Sequence, residues 1–272
     1  MSAHFTNLVS SLFGRFANRA FPTVIQKAVN SAYVKLMGLD MRGFEDPGSY
    51  PTLNALFTRE LKVRRKFDIN PSVAISPCDS LITATGAIEE GTAYQIKGMS
   101  YDTASLLGEA MEGTDSLDGG SYANFYLSPK DYHRYHAPFD IKISRAVHIP
   151  GRLYPVNMPL LKRKTGLFIE NERVVLRVED ANGHIHFMVM VGALNVGKMS
   201  FVFDERIQTN ASAQERSIYD YDGTVSLSKG ELMGWFEMGS TVVMLSEADS
   251  LEYDLRDGAR IAYGDRIGVL RS

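Results

Sequence analysis

A serine that follows a glycine can turn on its own backbone. In Met238-Gly239-Ser240-Thr241 the Ser240 hydroxyl stands next to the Gly239 carbonyl, and attack there exchanges the peptide bond for an ester. Elimination from the ester leaves dehydroalanine, whose hydrolysis gives ammonia and a pyruvoyl cap on the new N-terminus. Glycine suits the attacked position because it has no Cβ and tolerates unusual dihedrals. Read alone, the same residues are more simply a turn entering a strand. His133 and His136 stand three apart in Ser128-Pro129-Lys130-Asp131-Tyr132-His133-Arg134-Tyr135-His136. They share a helical face or diverge if the stretch is extended. Imidazole near neutral pKa is the usual general base or acid. The pair lacks a nearby cysteine or third ligand for zinc. Asp79, in Ser76-Pro77-Cys78-Asp79-Ser80, is a turn cap or the group that orients a histidine. His184 and His186 share one face of a strand; a metal pair is one reading, and alternation on a solvated sheet face is the simpler one.

These groups need a scaffold, and its period changes along the chain. Phe5, Leu8, Val9, Leu12, Phe13, Phe16 and Ala20 recur at helical spacing, which predicts a helix over 5–21. Phe21-Pro22 interrupts it. Ile25, Ala28, Val29, Ala32, Tyr33 and Leu36 then predict a second amphipathic helix. From about residue 72 the pattern is β-rich. Arg173–Asp180 and His184–Val191 read as strands joined by an Asn182-Gly183 hairpin turn. Asp222-Gly223 and Asp257-Gly258 mark turns before strand-like runs at Thr224–Leu227 and Arg260–Ala262, and Thr241–Leu245 is an apolar β-branched run. Further helix is expected only over Tyr101–Met111 and near Pro129–His133. There is no internal repeat. The chain reads as one mainly β domain with a helical N-terminal layer.

Composition narrows the class. The chain has 272 residues and a single cysteine, which excludes an internal disulfide and fits a reducing compartment. It has no apolar run of about 18 residues and no basic leader at its start. A soluble or peripheral intracellular protein is expected. Residues 1–66 hold ten Lys/Arg against four Asp/Glu, whereas the remainder holds nineteen against twenty-eight. A basic front on an acidic body suits an anionic surface. Two amphipathic helices flanked by Arg and Lys can lie in a membrane interface, or they can simply pack on the body.

Taken in order along nearly the whole chain, these segments resemble the phosphatidylserine decarboxylase family. Phe57-Thr58-Arg59-Glu60-Leu61-Lys62 is similar to its early motif. Ser76–Ser80 is similar to its aspartate turn, with Cys78 and Ser80 where the family usually has alanine and glycine. Ile96-Lys97-Gly98, Leu106-Leu107-Gly108, LSPKDYHRYHAP over Leu127–Pro138, Asn171-Glu172-Arg173, Val191–Gly197, Gly230-Glu231 and Gly234-Trp235-Phe236 follow in the family's order. Met238 stands where bacterial members usually carry leucine.

The resemblance implies an α+β, mainly β catalytic domain over 1–272, sandwich or barrel-like, with residues 1–45 as a helical membrane-associating region. It implies self-cleavage between Gly239 and Ser240 into 1–239 and 240–272, with Ser240 becoming a covalent pyruvoyl group and no metal required. By the same resemblance His136 activates Ser240, Asp79 orients His136, and His133 transfers a proton in decarboxylation. The implied reaction converts phosphatidylserine to phosphatidylethanolamine and CO2 through a Schiff base with the pyruvoyl group. The implied partners are an anionic membrane rather than nucleic acid, the two cleavage fragments and a second copy as homodimer. The implied location is the cytoplasmic face of a bacterial inner membrane, held peripherally. Two alternatives stand beside it: a pyruvoyl-dependent decarboxylase of a soluble amino acid, and an uncut β-rich binding protein. A serine hydrolase is weaker, because no G-x-S-x-G elbow is present.

Overall fold

The computed structural model describes residues 14–194, 198–209, 215–237 and 240–272. The expected helix over 5–21 therefore lies largely outside the described residues, of which 14–18 are helical. Met238, Gly239 and Asn195–Gly197 also lie outside them.

An eight-stranded antiparallel sheet carries the body. Its order is Ser217–Leu227, Ile141–Ile149, Arg173–Glu179, Ile185–Val191, Ser240–Ser246, Ser121–Leu127, Ser80–Ala87 and Arg260–Ile261. Ser240–Ser246 is an interior strand, and each of its residues is buried. Thr241-Val242-Val243-Met244-Leu245 suits that place, because β-branched and apolar side chains fill both faces of a covered sheet. Burying each such side chain contributes roughly 1.5–3 kcal/mol. Smaller sheets surround this one: Val73–Ile75 with Arg266–Leu270 and Leu251–Tyr253, Met199–Phe201 with Leu232–Phe236 and Arg134–His136, and Thr92–Ile96 with Met99–Asp102. The fold is mainly β, as expected. None of the sheets closes into a barrel.

Several local expectations hold and others shift. The 173–191 hairpin forms, with Gly183 at φ +87° and Asp180 N donating to His184 O at 3.1 Å. Asp222-Gly223 is not a turn between strands. Both residues have positive φ inside Ser217–Leu227, and the ladder with Ile141–Ile149 skips from Asp220 to Val225, a bulge. Tyr101–Met111 begins as the end of strand Met99–Asp102 and is helical only over Thr103–Leu107. The Asp102 carboxylate caps that helix by accepting from Ser105 N. Pro129–His133 is a turn rather than helix, because the Asp131 carboxylate reaches back to Ser128 N (2.7 Å) and Ser128 Oγ (2.6 Å).

The second front helix forms over Thr23–Met37 and stops at Gly38, φ +67°. Its inward face is not the apolar stripe. Gln26 and Asn30 are the buried residues, whereas Val24 is 81 % exposed, Ile25 51 % and Leu36 83 %. Phe21 N donates to Gln26 Oε1, Gln26 Nε2 to Asn30 Oδ1, and Asn30 Nδ2 to the carbonyls of Pro47 and Tyr50. This amide ladder satisfies the loop over residues 47–50 and leaves Val24, Ile25 and Leu36 outside, while Tyr33 and Val34 pack against Leu53 and Leu56.

Gly234 makes the small sheet next to the histidines possible. A Cβ there would lie 1.9 Å from Ser200 O and 2.6 Å from the Tyr135 hydroxyl. Gly234→Ala should therefore lower stability by about 1–3 kcal/mol or more. Thermal denaturation beside the parent chain checks this, and an unchanged midpoint would contradict the packing.

Candidate active site

Ser240 opens the interior strand. It pairs with Leu127 in the ladder, and Thr241 pairs with Val191 on the other side. Both side chains are buried, and neither Ser240 Oγ nor Thr241 Oγ1 has a hydrogen-bond partner among the described residues. Unpaired buried hydroxyls are uncommon and costly, so their clustering at a strand end marks a site. Leu127, opposite Ser240, leads through the Ser128–Asp131 turn to His133. Phe236, four residues before Ser240, donates its N–H to His133 O at 3.0 Å. The chain thus returns to His133 from Ser240's cross-strand partner and from the segment that precedes Ser240.

The two histidines diverge. The His133 ring lies against Phe57, centroids 4.0 Å apart, with Nδ1 2.8 Å from Asp131 O. Donation to that carbonyl leaves Nε2 as the lone-pair nitrogen, and Nε2 is buried without a partner. Burial pushes the His133 pKa down to about 3, and the Arg59 charge pushes the same way. His136 stacks on Tyr263 at 3.7 Å, with Nδ1 3.1 Å from Gly230 O and Nε2 3.2 Å from the Tyr132 hydroxyl. Burial again lowers its pKa to about 3, helped by Arg64, Arg134 and Arg65 and opposed by the Gly230 carbonyl. Both rings are therefore neutral at pH 7.

Asp79 does not bond His136 directly. Its oxygens accept from both terminal nitrogens of Arg65 and from Tyr263 N at 2.8 Å. It meets His136 through Tyr263, whose ring stacks on the imidazole and whose hydroxyl donates to Gly230 O at 2.8 Å, the carbonyl facing His136 Nδ1. Ser80, where glycine was the usual residue, is not among the residues with positive φ, so this turn needs no glycine there. Cys78 is wholly buried, and desolvation raises its thiol pKa, so it is not a nucleophile here.

Sequence reasoning missed Tyr132 and Tyr263 as the groups that hold His136, and Glu237 beside the glycine-serine pair. Burial raises the Glu237 pKa, with hydrogen bonds from Asn54 and Asn18 acting against it. Its position three residues before Ser240 was the only sequence signal. His184 is half-buried, and His186 does not lie on a solvated face. His186 is buried between Asp180 Oδ2 (3.4 Å) and Ser246 Oγ (2.9 Å), and His184 Nδ1 is 3.3 Å from the same Asp180 oxygen. No group of three or more side chains suited to a metal occurs among the described residues.

The neutral histidines couple folding to pH. In the unfolded chain each takes up a proton near pH 6.5, whereas in the folded chain it resists protonation until about pH 3. The unfolded state thus binds more protons between those values, and stability falls as pH drops from 6.5 towards 3. Between pH 6.5 and 5 few carboxylates titrate, so the slope there reports the histidines. Urea midpoints across that range should fall for the parent chain and fall less for His133→Gln; equal slopes would exclude His133 as a source.

The order of these segments is matched by known proteins. The phosphatidylserine decarboxylase family model matches residues 53–269. The chain is 46 % identical over 263 residues to a phosphatidylserine decarboxylase proenzyme of Helicobacter pylori, covering 97 % of each protein. It is 43 % identical to the proenzyme of Campylobacter jejuni, covering 97 % of this chain and 98 % of that one, and 35 % identical to that of Myxococcus xanthus, covering 96 % and 94 %. The family model over residues 53–269 and matches that run almost end to end place this chain, with its buried serine at the mouth of an interior strand, in the phosphatidylserine decarboxylase family.

Proposed function

We propose that the chain is a self-processing enzyme that decarboxylates phosphatidylserine to phosphatidylethanolamine. The observation that carries this reading is Ser240 Oγ, buried and unbonded at the start of the central strand. Its hydroxyl attacks the Gly239 carbonyl, the Gly239–Ser240 C–N bond breaks, and the proton leaving Oγ is replaced on the nitrogen. Removal of the Ser240 Cα proton then expels the Gly239 carboxylate. Water hydrolyses the resulting enamine in its imine form, so one water enters and one ammonia leaves. The surroundings suit the pyruvoyl group that results, since losing the Ser240 hydroxyl breaks no hydrogen bond among the described residues. A pyruvoyl group supplies an electron sink for the electron pair left by departing CO2.

The side chains around it divide the work. His133, with a free and unprotonated Nε2 in a dry setting, takes and returns a proton next to the reacting carbon. His136 acts in processing, held by Tyr263 and Tyr132. Asp79 is a positioning residue that acts through Tyr263. Both ring nitrogens of His136 are engaged, whereas His133 Nε2 is not. This favours a second assignment, in which His133 also serves as the processing base.

The front helix supports a membrane-borne substrate. Val24, Ile25 and Leu36 are exposed on it with Lys27 and Lys35, and Phe16 is exposed just before it. No helix among the described residues is long and apolar enough to span a bilayer. The protein would sit peripherally, on the cytoplasmic face of the inner membrane, with its two fragments held together.

Ser240→Ala should stay uncut on a denaturing gel, because no hydroxyl remains to attack. His136→Ala and Asp79→Ala should block or greatly slow cleavage. His133→Ala should cleave but lose on the order of 10²–10⁴ in decarboxylation rate. Loss of cleavage in His133→Ala with normal cleavage in His136→Ala would replace the first assignment by the second. Full-length chain as the only species in an active preparation would sink both.

Val24→Asp with Leu36→Asp should release the protein from phosphatidylserine-containing vesicles in a sedimentation assay. About 25 cal/mol is lost for each Å² of apolar surface no longer inserted. Binding equal to the parent's would remove this face from the membrane contact.

A further inference from the structure

A cavity of about 300 Å³ opens beside the histidine turn. Three arginines on it have a carboxylate each: Arg42 with Asp40, Arg65 with Asp79 and Arg260 with Asp131. Arg59 lines the same cavity, is only 2 % exposed, and has no ion pair among the described residues. Its Nη2 donates to the carbonyls of Lys130 (3.1 Å) and Asp131 (3.4 Å), while Nε and Nη1 are buried without a partner. The guanidinium lies 4.6 Å over the Phe44 ring, a contact that does not engage its in-plane N–H groups. The Tyr33 hydroxyl, on helix Thr23–Met37, is a further buried group without a partner, and it feels the Arg59 charge.

Guanidinium nitrogens only donate, so what these groups lack is an acceptor. Asp79 and Asp131 attract Arg59 only from beyond ion-pair distance, and a buried cation with no carboxylate in contact calls for an anion, for which a planar fork suits phosphate or carboxylate. We propose that Arg59, with Tyr33, forms a niche for the phosphodiester of the lipid headgroup. This deepens the decarboxylase reading and rests on it. The carboxylate is the poorer candidate: a cation that holds it stabilises the ground state of the group that must leave. The phosphate persists from substrate to product. The niche also adjoins the chemistry, since Asp131 O is shared by Arg59 Nη2 and His133 Nδ1. A lipid rather than a free phosphate fits the helix that carries Tyr33, whose outer residues Val24, Ile25 and Leu36 are exposed.

The uncut Ser240→Ala chain isolates binding from catalysis. By titration calorimetry it should bind glycerophosphoserine, and Arg59→Lys or Tyr33→Phe in that background should each weaken binding about tenfold. Tyr33→Phe removes a hydroxyl that nothing in the fold bonds, so its thermal midpoint should match the parent's, which separates lost binding from lost folding. In the processed enzyme the same substitutions should raise KM for phosphatidylserine in mixed micelles and leave kcat nearly unchanged. Inorganic phosphate binding as tightly as glycerophosphoserine would overturn the lipid assignment. Folded variants that bind like the parent would overturn the niche itself. A wild-type enzyme with no decarboxylase activity would instead refute the proposed function, and the calorimetry would still judge the niche.

Discussion

Everything at this site depends on the backbone ladder along both edges of Ser240–Ser246. One edge runs against Ser121–Leu127 and the other against Ile185–Val191, with Ser240 as the first paired residue. The ladder fixes where Ser240 stands without help from its side chain, which is why the hydroxyl can remain unbonded. It also makes the proposed chain break tolerable. Residues 240–272 include the interior strand, together with Arg260–Ile261 paired to Ser80–Ala87 and Arg266–Leu270 paired to Val73–Ile75. A cut before Ser240 removes none of these pairings, so the short fragment stays woven into the long one. A cut a few residues further on would take Ser240 or Thr241 out of the ladder.

Dryness is the second constraint, and it sets the protonation states. His133 and His136 lie among Phe57, Tyr132 and Tyr263, where a charged imidazole would lose its hydration without gaining a carboxylate. Arg59 beside His133, and Arg64, Arg134 and Arg65 around His136, oppose protonation further. Asp79, the acid the turn motif offers, is engaged by Arg65 and Tyr263 N instead. Its negative charge is thereby spent on holding the loop that carries Tyr263, and the imidazole remains a neutral base. A neutral base in a water-poor site suits proton transfer to and from carbon, where a protonated ring could not accept.

The elements with local causes were legible in the sequence. The 173–191 hairpin follows from alternation and Asn182-Gly183, and the interior strand from the β-branched run after Ser240. The family resemblance brought Asp79, His133, His136 and Ser240 together, and the fold sets His133 and Ser240 on one closed stretch of chain. What the sequence hid was non-local or carried by a side chain. Asp131 bends its segment into a turn by bonding Ser128, so the spacing of His133 and His136 never became a helical face. Tyr263 reaches His136 from the C-terminal part of the chain, and nothing near it in sequence marks that contact. Asp79 reads as a partner for histidine until Arg65, fourteen residues earlier, is seen to occupy its oxygens.

The front helix shows the same limit from the other direction. Its period was plain, but which face turns inward was decided by the loop over residues 47–50, whose carbonyls of Pro47 and Tyr50 need donors. Leaving those carbonyls buried without partners would cost more than exposing a few aliphatic side chains. Gln26 and Asn30 therefore take the inner face, and Val24, Ile25 and Leu36 are left outside. In water that arrangement wastes apolar area; at a lipid surface it recovers it, because the exposed residues then meet hydrocarbon while Lys27 and Lys35 meet anionic headgroups. The same helix carries Tyr33, whose buried hydroxyl feels the Arg59 charge. One polar requirement in a loop thus orients the helix, and that orientation would serve both the proposed membrane contact and the proposed headgroup niche.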